Sequence, residues 1–122
     1  MRVILFVGIG GGLGSILRYT ISLFVGKHIP IVFPLGTLLV NISGCFLIGV
    51  FYSVFARHSN FNPDWRLFLI TGICGGYTTF STFSYDGFIL LKQGSALSFI
   101  LYALGSVVIG LLATIAGVAL FK

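Results

Sequence analysis

Residues 71–84 read TGICGGYTTFSTFS, a mixture of glycine, hydroxyl and aromatic side chains inside an otherwise apolar stretch. Glycine costs a helix about 1 kcal/mol relative to alanine, and Ser and Thr side chains compete with the helix for its backbone groups. The paired glycines Gly75 and Gly76, followed by Thr78 and Thr79, therefore predict a break in a helix between residues 75 and 79. A kink with local Ser and Thr capping is an alternative that the spacing does not exclude.

The composition around this stretch places the chain in a membrane. Hydrophobic residues make up 57% of the chain and charged residues 7%, which is too little polar surface for a globule in water. A helix needs roughly 20 mostly apolar residues to cross a bilayer. Four such stretches lie between polar breaks, at about residues 3–25, 33–56, 66–91 and 97–121. We therefore predict an all-α integral membrane protein with four transmembrane helices, the third of them broken, as a single domain over residues 1–122.

The basic residues give the chain a net charge of +5, but they are spread along it rather than clustered. A nucleic-acid partner is therefore not expected, and anionic lipid headgroups explain the charges better. Both ends and the middle loop of a four-span chain share one side, which sets four basic residues against three: Arg2, Arg57, Arg66 and Lys122 against Arg18, Lys27 and Lys92. Because the basic residues are distributed almost evenly between the two sides, they orient the protein in the membrane only weakly. Insertion both ways, giving an antiparallel homodimer, and one weakly fixed orientation are both compatible with it.

Polar side chains inside the predicted spans are costly in hydrocarbon and need a physical reason. The second span presents Thr37, Asn41 and Gly44 on one face. The fourth span repeats the pattern with residues four apart, namely Tyr102, Ser106, Gly110 and Thr114. The simplest role of each Ser or Thr is an interhelical hydrogen bond, worth about 0.6 kcal/mol. Asn41 is different, because its two N–H donors suit an anion.

The residues at the predicted break could bind either a cation or an anion. Carbonyls freed from a broken helix are good ligands for a cation. Phe80 and Phe83 could offer an anion their electropositive ring edges without the deep energy well of a Lys or Arg. Two Phe at this spacing are otherwise ordinary lipid-facing or core residues. Cys45 and Cys74 have no metal-ligand spacing and are predicted to be small packing residues.

Three segments resemble the Fluc (CrcB) family of fluoride channels, in order and on three successive spans. Residues 11–19, GGLGSILRY, resemble the last nine positions of the family's GGxxGAxxRY, with Ser15 in place of the usual Ala. Residues 36–46, GTLLVNISGCF, resemble GTLxVNxxGxF, and residues 72–83, GICGGYTTFSTF, resemble GxxGGxTTFSTF. Asp86 stands where Glu is common in the family. Gly110 stands where Ser is frequent, a departure for which Thr114 could compensate.

The resemblance implies a dual-topology homodimer in the bacterial inner membrane, with two antiparallel pathways that let fluoride leave passively down its electrochemical gradient. It implies a structural Na⁺ on the two-fold axis, held by the backbone carbonyls of Gly75 and Thr78 from each subunit. It places Arg18 and Asp86 in a vestibule of the pathway. The implied fluoride pathway comprises Thr37, Asn41, Phe80, Ser81, Thr82, Phe83, Tyr102 and Ser106.

The sequence carries no ATP-binding motif and no catalytic dyad, so the protein is not expected to be an enzyme or to need a protein partner beyond a second copy. A small proton-coupled exporter shares the length and the four spans, but it needs a carboxylate in the first span, which has none here. A non-transporting assembly subunit is a second alternative. We also predict that Arg18 and Asp86 pair or share a hydrated vestibule, because unbroken helices would separate them by only ~8 Å along the membrane normal.

Overall fold

In a computed structural model describing residues 1–58 and 60–121, the chain is all-helical. Lys122 of the charge count lies outside the described residues. The elements are α1 (Arg2–His28), α2 (Leu35–Arg57), α3 (Pro63–Arg66), a π-helix (Leu67–Cys74), α4 (Gly75–Tyr77), α5 (Phe80–Lys92) and α6 (Ala96–Leu120). Within the described part, α1, α2 and α6 are each long and apolar enough to cross a membrane. The third predicted span is made up of α3, the π-helix, α4 and α5.

The third span leaves helical geometry at two residues inside the predicted window. Thr78 (φ −87°, ψ 153°) and Thr79 (φ −151°, ψ 130°) are extended, and α5 starts at the next residue. The Thr79 hydroxyl accepts a hydrogen bond from the Thr82 N–H at 3.3 Å and so caps the N-terminus of α5. The break and the local Thr cap therefore occur together rather than as alternatives.

The chain packs as two close helix pairs. α1 lies against the π-helix and α4, and α2 lies against α6. Glycines allow both approaches, since a Cβ on Gly14 would collide with the Ile73 carbonyl and a Cβ on Gly49 with the Thr114 carbonyl. Gly8, on another face of α1, has no heavy atom within 4 Å of such a Cβ. The close approach of α1 to the third span thus lies on the face of α1 that carries Gly10 and Gly14.

Most of the large apolar side chains on these helices are exposed, and few are buried. The fully buried ones, Val40, Cys74 and Tyr102, lie where the helices meet. Such exposure would be unfavourable in water, but lipid tails solvate apolar side chains. The distribution agrees with a membrane protein.

Candidate functional site

The Asn41 side chain, on α2, forms hydrogen bonds with the backbone at the break in the third span. Its side-chain carbonyl accepts a hydrogen bond from the Thr79 N–H at 3.1 Å, and its amide donates to the Thr79 carbonyl at 3.3 Å. Both backbone groups of an extended residue are thereby satisfied inside an apolar span, where an unpaired group is costly. A carboxamide nitrogen carries two hydrogens, so Asn41 keeps one N–H for another acceptor.

The same break removes the helical donors of several backbone carbonyls, among them those of Gly75 and Thr78. In a continuous α-helix the Thr79 N–H would bond to the Gly75 carbonyl, and the Thr82 N–H to the Thr78 carbonyl. Here those N–H groups bond to Asn41 and to the Thr79 hydroxyl instead. Gly75 is exposed on the surface of the chain and Thr78 is half-buried. These are the two residues from which the family resemblance implies cation ligands.

The carbonyl of Gly76, between them, is covered by α1. Arg18 Nε donates a hydrogen bond to it at 3.3 Å, and the Ser15 hydroxyl approaches it at 3.5 Å. Gly76 itself packs closely on α1, because a Cβ at this position would collide with the Gly11 carbonyl. Arg18 is therefore tied to the backbone just before the break.

A groove of about 300 Å³ opens beside the break, between α2, α5 and α6. Among the described residues no charged side chain lines it; the lining residues are Asn41, Cys45, Ile48, Thr78, Thr79, Phe80, Phe83, Ser106 and Val107. The Ser106 hydroxyl oxygen is buried and has no hydrogen-bond partner among the described residues. A buried hydroxyl without a partner costs free energy, so its position beside a groove indicates a binding partner from outside the chain.

A row of aromatic rings leads away from the groove. The ring centroids of Phe80 and Phe83 are 5.7 Å apart, and those of Phe83 and Tyr102 are 5.0 Å apart. Tyr102 is fully buried, and its hydroxyl donates to Asp86 at 3.4 Å. At the other end of the row Phe80 is 79% exposed. The row thus connects an exposed ring to a buried phenol that contacts a carboxylate.

Comparison with known proteins assigns the chain to a family. Residues 5–118 match the family described as CrcB-like protein, Camphor Resistance (CrcB). The chain belongs to the CrcB family. A protein from Aquifex aeolicus, 46% identical over 117 residues (96% of this chain and 94% of the relative), is named fluoride-specific ion channel FluC.

Two further relatives carry the same name. One, from Phocaeicola vulgatus, is 48% identical over 118 residues, covering 97% of each chain. The other, from Flavobacterium psychrophilum, is 43% identical over 122 residues, covering 100% of this chain and 98% of the relative. These matches confirm the resemblance that the three sequence motifs carry.

The structure of this CrcB-family chain brings together four of the predicted pathway residues: Asn41, Phe80, Phe83 and Ser106 line the groove. Tyr102 adjoins them through its ring contact with Phe83. Thr37 interacts with the Tyr102 hydroxyl through its side chain and lines a second cavity of about 280 Å³, which it shares with Asp86 near the end of α1. The buried Tyr102 therefore contacts a lining residue of each cavity, Phe83 of the groove and Asp86 of the second cavity.

Ser81 and Thr82, which are also predicted for the pathway, line neither the groove nor the second cavity. Ser81 is exposed, and its hydroxyl bonds with the Thr79 hydroxyl at 3.1 Å. Thr82 contributes its backbone N–H to the cap of α5. A place for them in a fluoride pathway stays a prediction.

Arg18 and Asp86 form no ion pair with each other in the part of the chain that the structure describes. Arg18 bonds to the Gly76 carbonyl, and Asp86 accepts from Tyr102. The depth estimate behind the predicted pair assumed two unbroken helices, whereas the third span contains a π-helix and an extended break. A shared vestibule stays a prediction, since Asp86 lines the second cavity together with Ser22, one turn beyond Arg18.

The sequence prediction for this CrcB-family protein missed Cys45 and Thr79 as groove residues. Cys45 follows Asn41 by four residues, so helical spacing alone would have placed it on the same face of α2. Thr79 belongs to the motif that predicts the break, but its hydrogen bonds to Asn41 depend on where the break falls. No spacing in the sequence indicates that partnership.

Proposed function

We propose that this protein is a fluoride-specific ion channel that lets fluoride leave a bacterial cell passively across the inner membrane. The relatives' names support the substrate, and they describe a channel rather than an enzyme. The observation that carries the proposal is the buried Ser106 hydroxyl, which no described residue bonds, in a groove with Asn41 and two phenyl rings.

The chemistry of the groove suits a small, strongly hydrated anion. Such an ion must exchange its water for other hydrogen-bond donors, and Ser106 and Asn41 offer an O–H and an N–H. The ring edges of Phe80 and Phe83 add a mild positive potential. Because no charged side chain lines the groove, the ion meets no deep energy well and can leave. A narrow path of this kind disfavours the larger chloride ion.

We place the working pathway in an antiparallel homodimer with two pores. Four packed helices fill their own centre, and the groove lies at an edge of the chain rather than inside it. Phe80 is 79% exposed, and Gly75, before the break, is exposed as well. A carbonyl of a broken helix must be covered inside a membrane, and a second copy would cover both residues. The nearly even distribution of basic residues supports insertion both ways.

A structural Na⁺ between the two copies fits the residues at the break. Gly75 and Thr78 have lost the helical donors of their carbonyls, and hard cations prefer oxygen ligands. One chain offers two such carbonyls, so two copies would offer four. When bound, the ion would supply positive charge that holds two neutral, broken helices together. The carbonyls themselves are positioned by Asn41 and by the Thr79 cap.

Reconstitution into liposomes tests the function. Liposomes loaded with potassium fluoride receive valinomycin to carry K⁺, and a fluoride electrode follows the efflux. We expect fast fluoride efflux with protein, none from protein-free liposomes, and no chloride efflux under the same gradient. Fluoride movement that requires a pH gradient would indicate a proton-coupled exporter. Absence of any flux would indicate an assembly subunit, and either outcome would overturn the proposal.

A further inference from the structure

The polar face of α6 has a gap where it borders the groove. Ser106, Gly110 and Thr114 follow one another at intervals of four residues, but Gly110 has no side chain. The Thr114 hydroxyl lies 3.1 Å from the Cys45 carbonyl and 3.2 Å from the Gly110 carbonyl and donates to them. Its single hydrogen is thereby committed to the backbone. Thr114 therefore does not compensate for the missing hydroxyl at Gly110.

Cys45 of α2 fills this gap. A Cβ built on Gly110 would have one neighbour within 4 Å, the Cys45 sulfur at 3.4 Å. The thiol thus borders the space that a side chain at position 110 would enter. Cys45 is half-buried, lines the groove with Ser106, and is a free cysteine. Its sulfur forms no hydrogen bond with any residue of 1–58 or 60–121.

We propose that the Cys45 thiol is the hydrogen-bond donor of the ion path at the level of Gly110, one turn beyond Ser106. The inference rests on the function proposed above. A thiol is a weak donor, so it holds a small anion less tightly than a hydroxyl does, and a shallow site favours passage over retention. The Ser106 hydroxyl supports the assignment independently, because it belongs to a residue that lines the same groove and it is buried without a partner in the described chain.

Moving the donor from α2 to α6 tests the assignment. Cys45→Ala removes the thiol, and we expect fluoride flux per protein to fall about three-fold, the effect of one weak hydrogen bond. Adding Gly110→Ser to that variant returns a donor to the same space, and we expect the flux to recover. Adding Gly110→Ala instead supplies the same Cβ without the hydroxyl, so the flux should stay low. Equal recovery with serine and alanine would assign the effect to packing and overturn the proposal.

A thiol reagent gives a second readout. Methyl methanethiosulfonate forms a disulfide with a cysteine sulfur: its own sulfur–sulfur bond breaks, methanesulfinate leaves, and the thiol proton passes to water. We expect modification of Cys45 to lower flux by about ten-fold, because the added methylthio group fills the groove. The Cys45→Ala variant retains only Cys74, which is fully buried, so the reagent should not change its flux. Peptide mass spectrometry identifies the modified cysteine.

The outcomes separate this inference from the function on which it rests. A wild-type protein that moves no fluoride overturns both. A conducting wild type with unchanged flux in Cys45→Ala, or with Cys45 unmodified after exposure to the reagent, overturns the role of the thiol alone. Cys45→Ser keeps a donor of similar size, so a folded, conducting and reagent-resistant Cys45→Ser channel supports the role even if the alanine variant fails to assemble.

Discussion

At the scale of single residues, two serines differ in whether their hydroxyl has a hydrogen-bond partner, and so one serves as a control for the other. The Ser53 hydroxyl donates to the Val118 carbonyl at 2.7 Å, whereas the Ser106 hydroxyl has no partner within the described residues. We expect Ser53→Ala to lower the free energy of unfolding by about 0.6 kcal/mol and to leave the flux per folded protein unchanged. We expect Ser106→Ala to reduce the flux without a loss of stability. Thermal unfolding in detergent and liposome flux measure the two effects.

The opposite pattern would remove Ser106 from the pathway. If Ser106→Ala were less stable and still conducted fully, its hydroxyl would have found a structural partner in the assembled protein.

The exposed ring of Phe80 gives a second prediction at this scale. Phe80→Ile keeps an apolar side chain but removes the electropositive ring edge, so we expect the dimer to assemble and the flux to fall by about ten-fold or more. Phe88→Ile is the control, because Phe88 is on the same helix, is 58% exposed and does not line the groove. Size-exclusion chromatography and fluoride efflux check both variants. Wild-type flux in a monodisperse Phe80→Ile dimer would exclude the ring from the mechanism.

The identities of several site residues were predictable, but their partners were not. Asn41, Phe80 and Phe83 stand in sequence motifs, and the structure places all three in one groove. Arg18 was predicted to pair with Asp86 or to share a vestibule with it; in the described residues it bonds to the Gly76 carbonyl and forms no ion pair with Asp86, while the vestibule stays a prediction. A sequence shows which side chains are polar, whereas the acceptor of each depends on local backbone geometry.

At the scale of elements, Gly14 sets the distance between α1 and the third span. A Cβ there would collide with the Ile73 carbonyl and lie 2.8 Å from the Tyr77 nitrogen, and backbone atoms cannot move aside as a flexible side chain can. We expect Gly14→Ala to destabilise the protein by about 1–3 kcal/mol, as overpacking does. Gly8→Ala, which meets nothing within 4 Å, should have a much smaller effect. A thermal unfolding series compares the two, and equal unfolding temperatures would contradict the close packing.

The break itself was predictable from its composition, and the π-helix before it was not. Glycines and hydroxyl residues disfavour a regular helix wherever they cluster, so the window of residues 75–79 contains the observed extended residues. The π-helix has no comparable sequence signal, because its segment, Leu67–Cys74, is mostly apolar. This segment lies against α1, where Gly72 approaches Gly10. Its geometry depends on packing between elements, which a local sequence pattern does not encode.

At the scale of the whole molecule, the Gly75 and Thr78 carbonyls predict a dependence on sodium. Exchange of a purified dimer into a buffer of bulky organic cations should lower its unfolding temperature and its flux, and returning Na⁺ should restore both. The physical reason is that, in the proposed dimer, carbonyls without helical donors would repel one another across the two-fold axis when no cation lies between them. Unchanged stability and flux after exhaustive removal of Na⁺ and Li⁺ would mean that the site is absent or idle.

The partnership between Asn41 and Thr79 also bears on how the protein is made. A ribosome delivers α2 to the membrane before it delivers the third span, so the side chain that satisfies both backbone groups of Thr79 is already in place when that residue arrives. A third span inserted ahead of α2 would meet hydrocarbon with those groups unpaired, and a straight helix would then be its most favourable form. The order of synthesis thus makes α2 an intramolecular chaperone for the break. A circular permutant that begins in the connection between α2 and α3 would lose this guidance, although it would contain every residue of the native site.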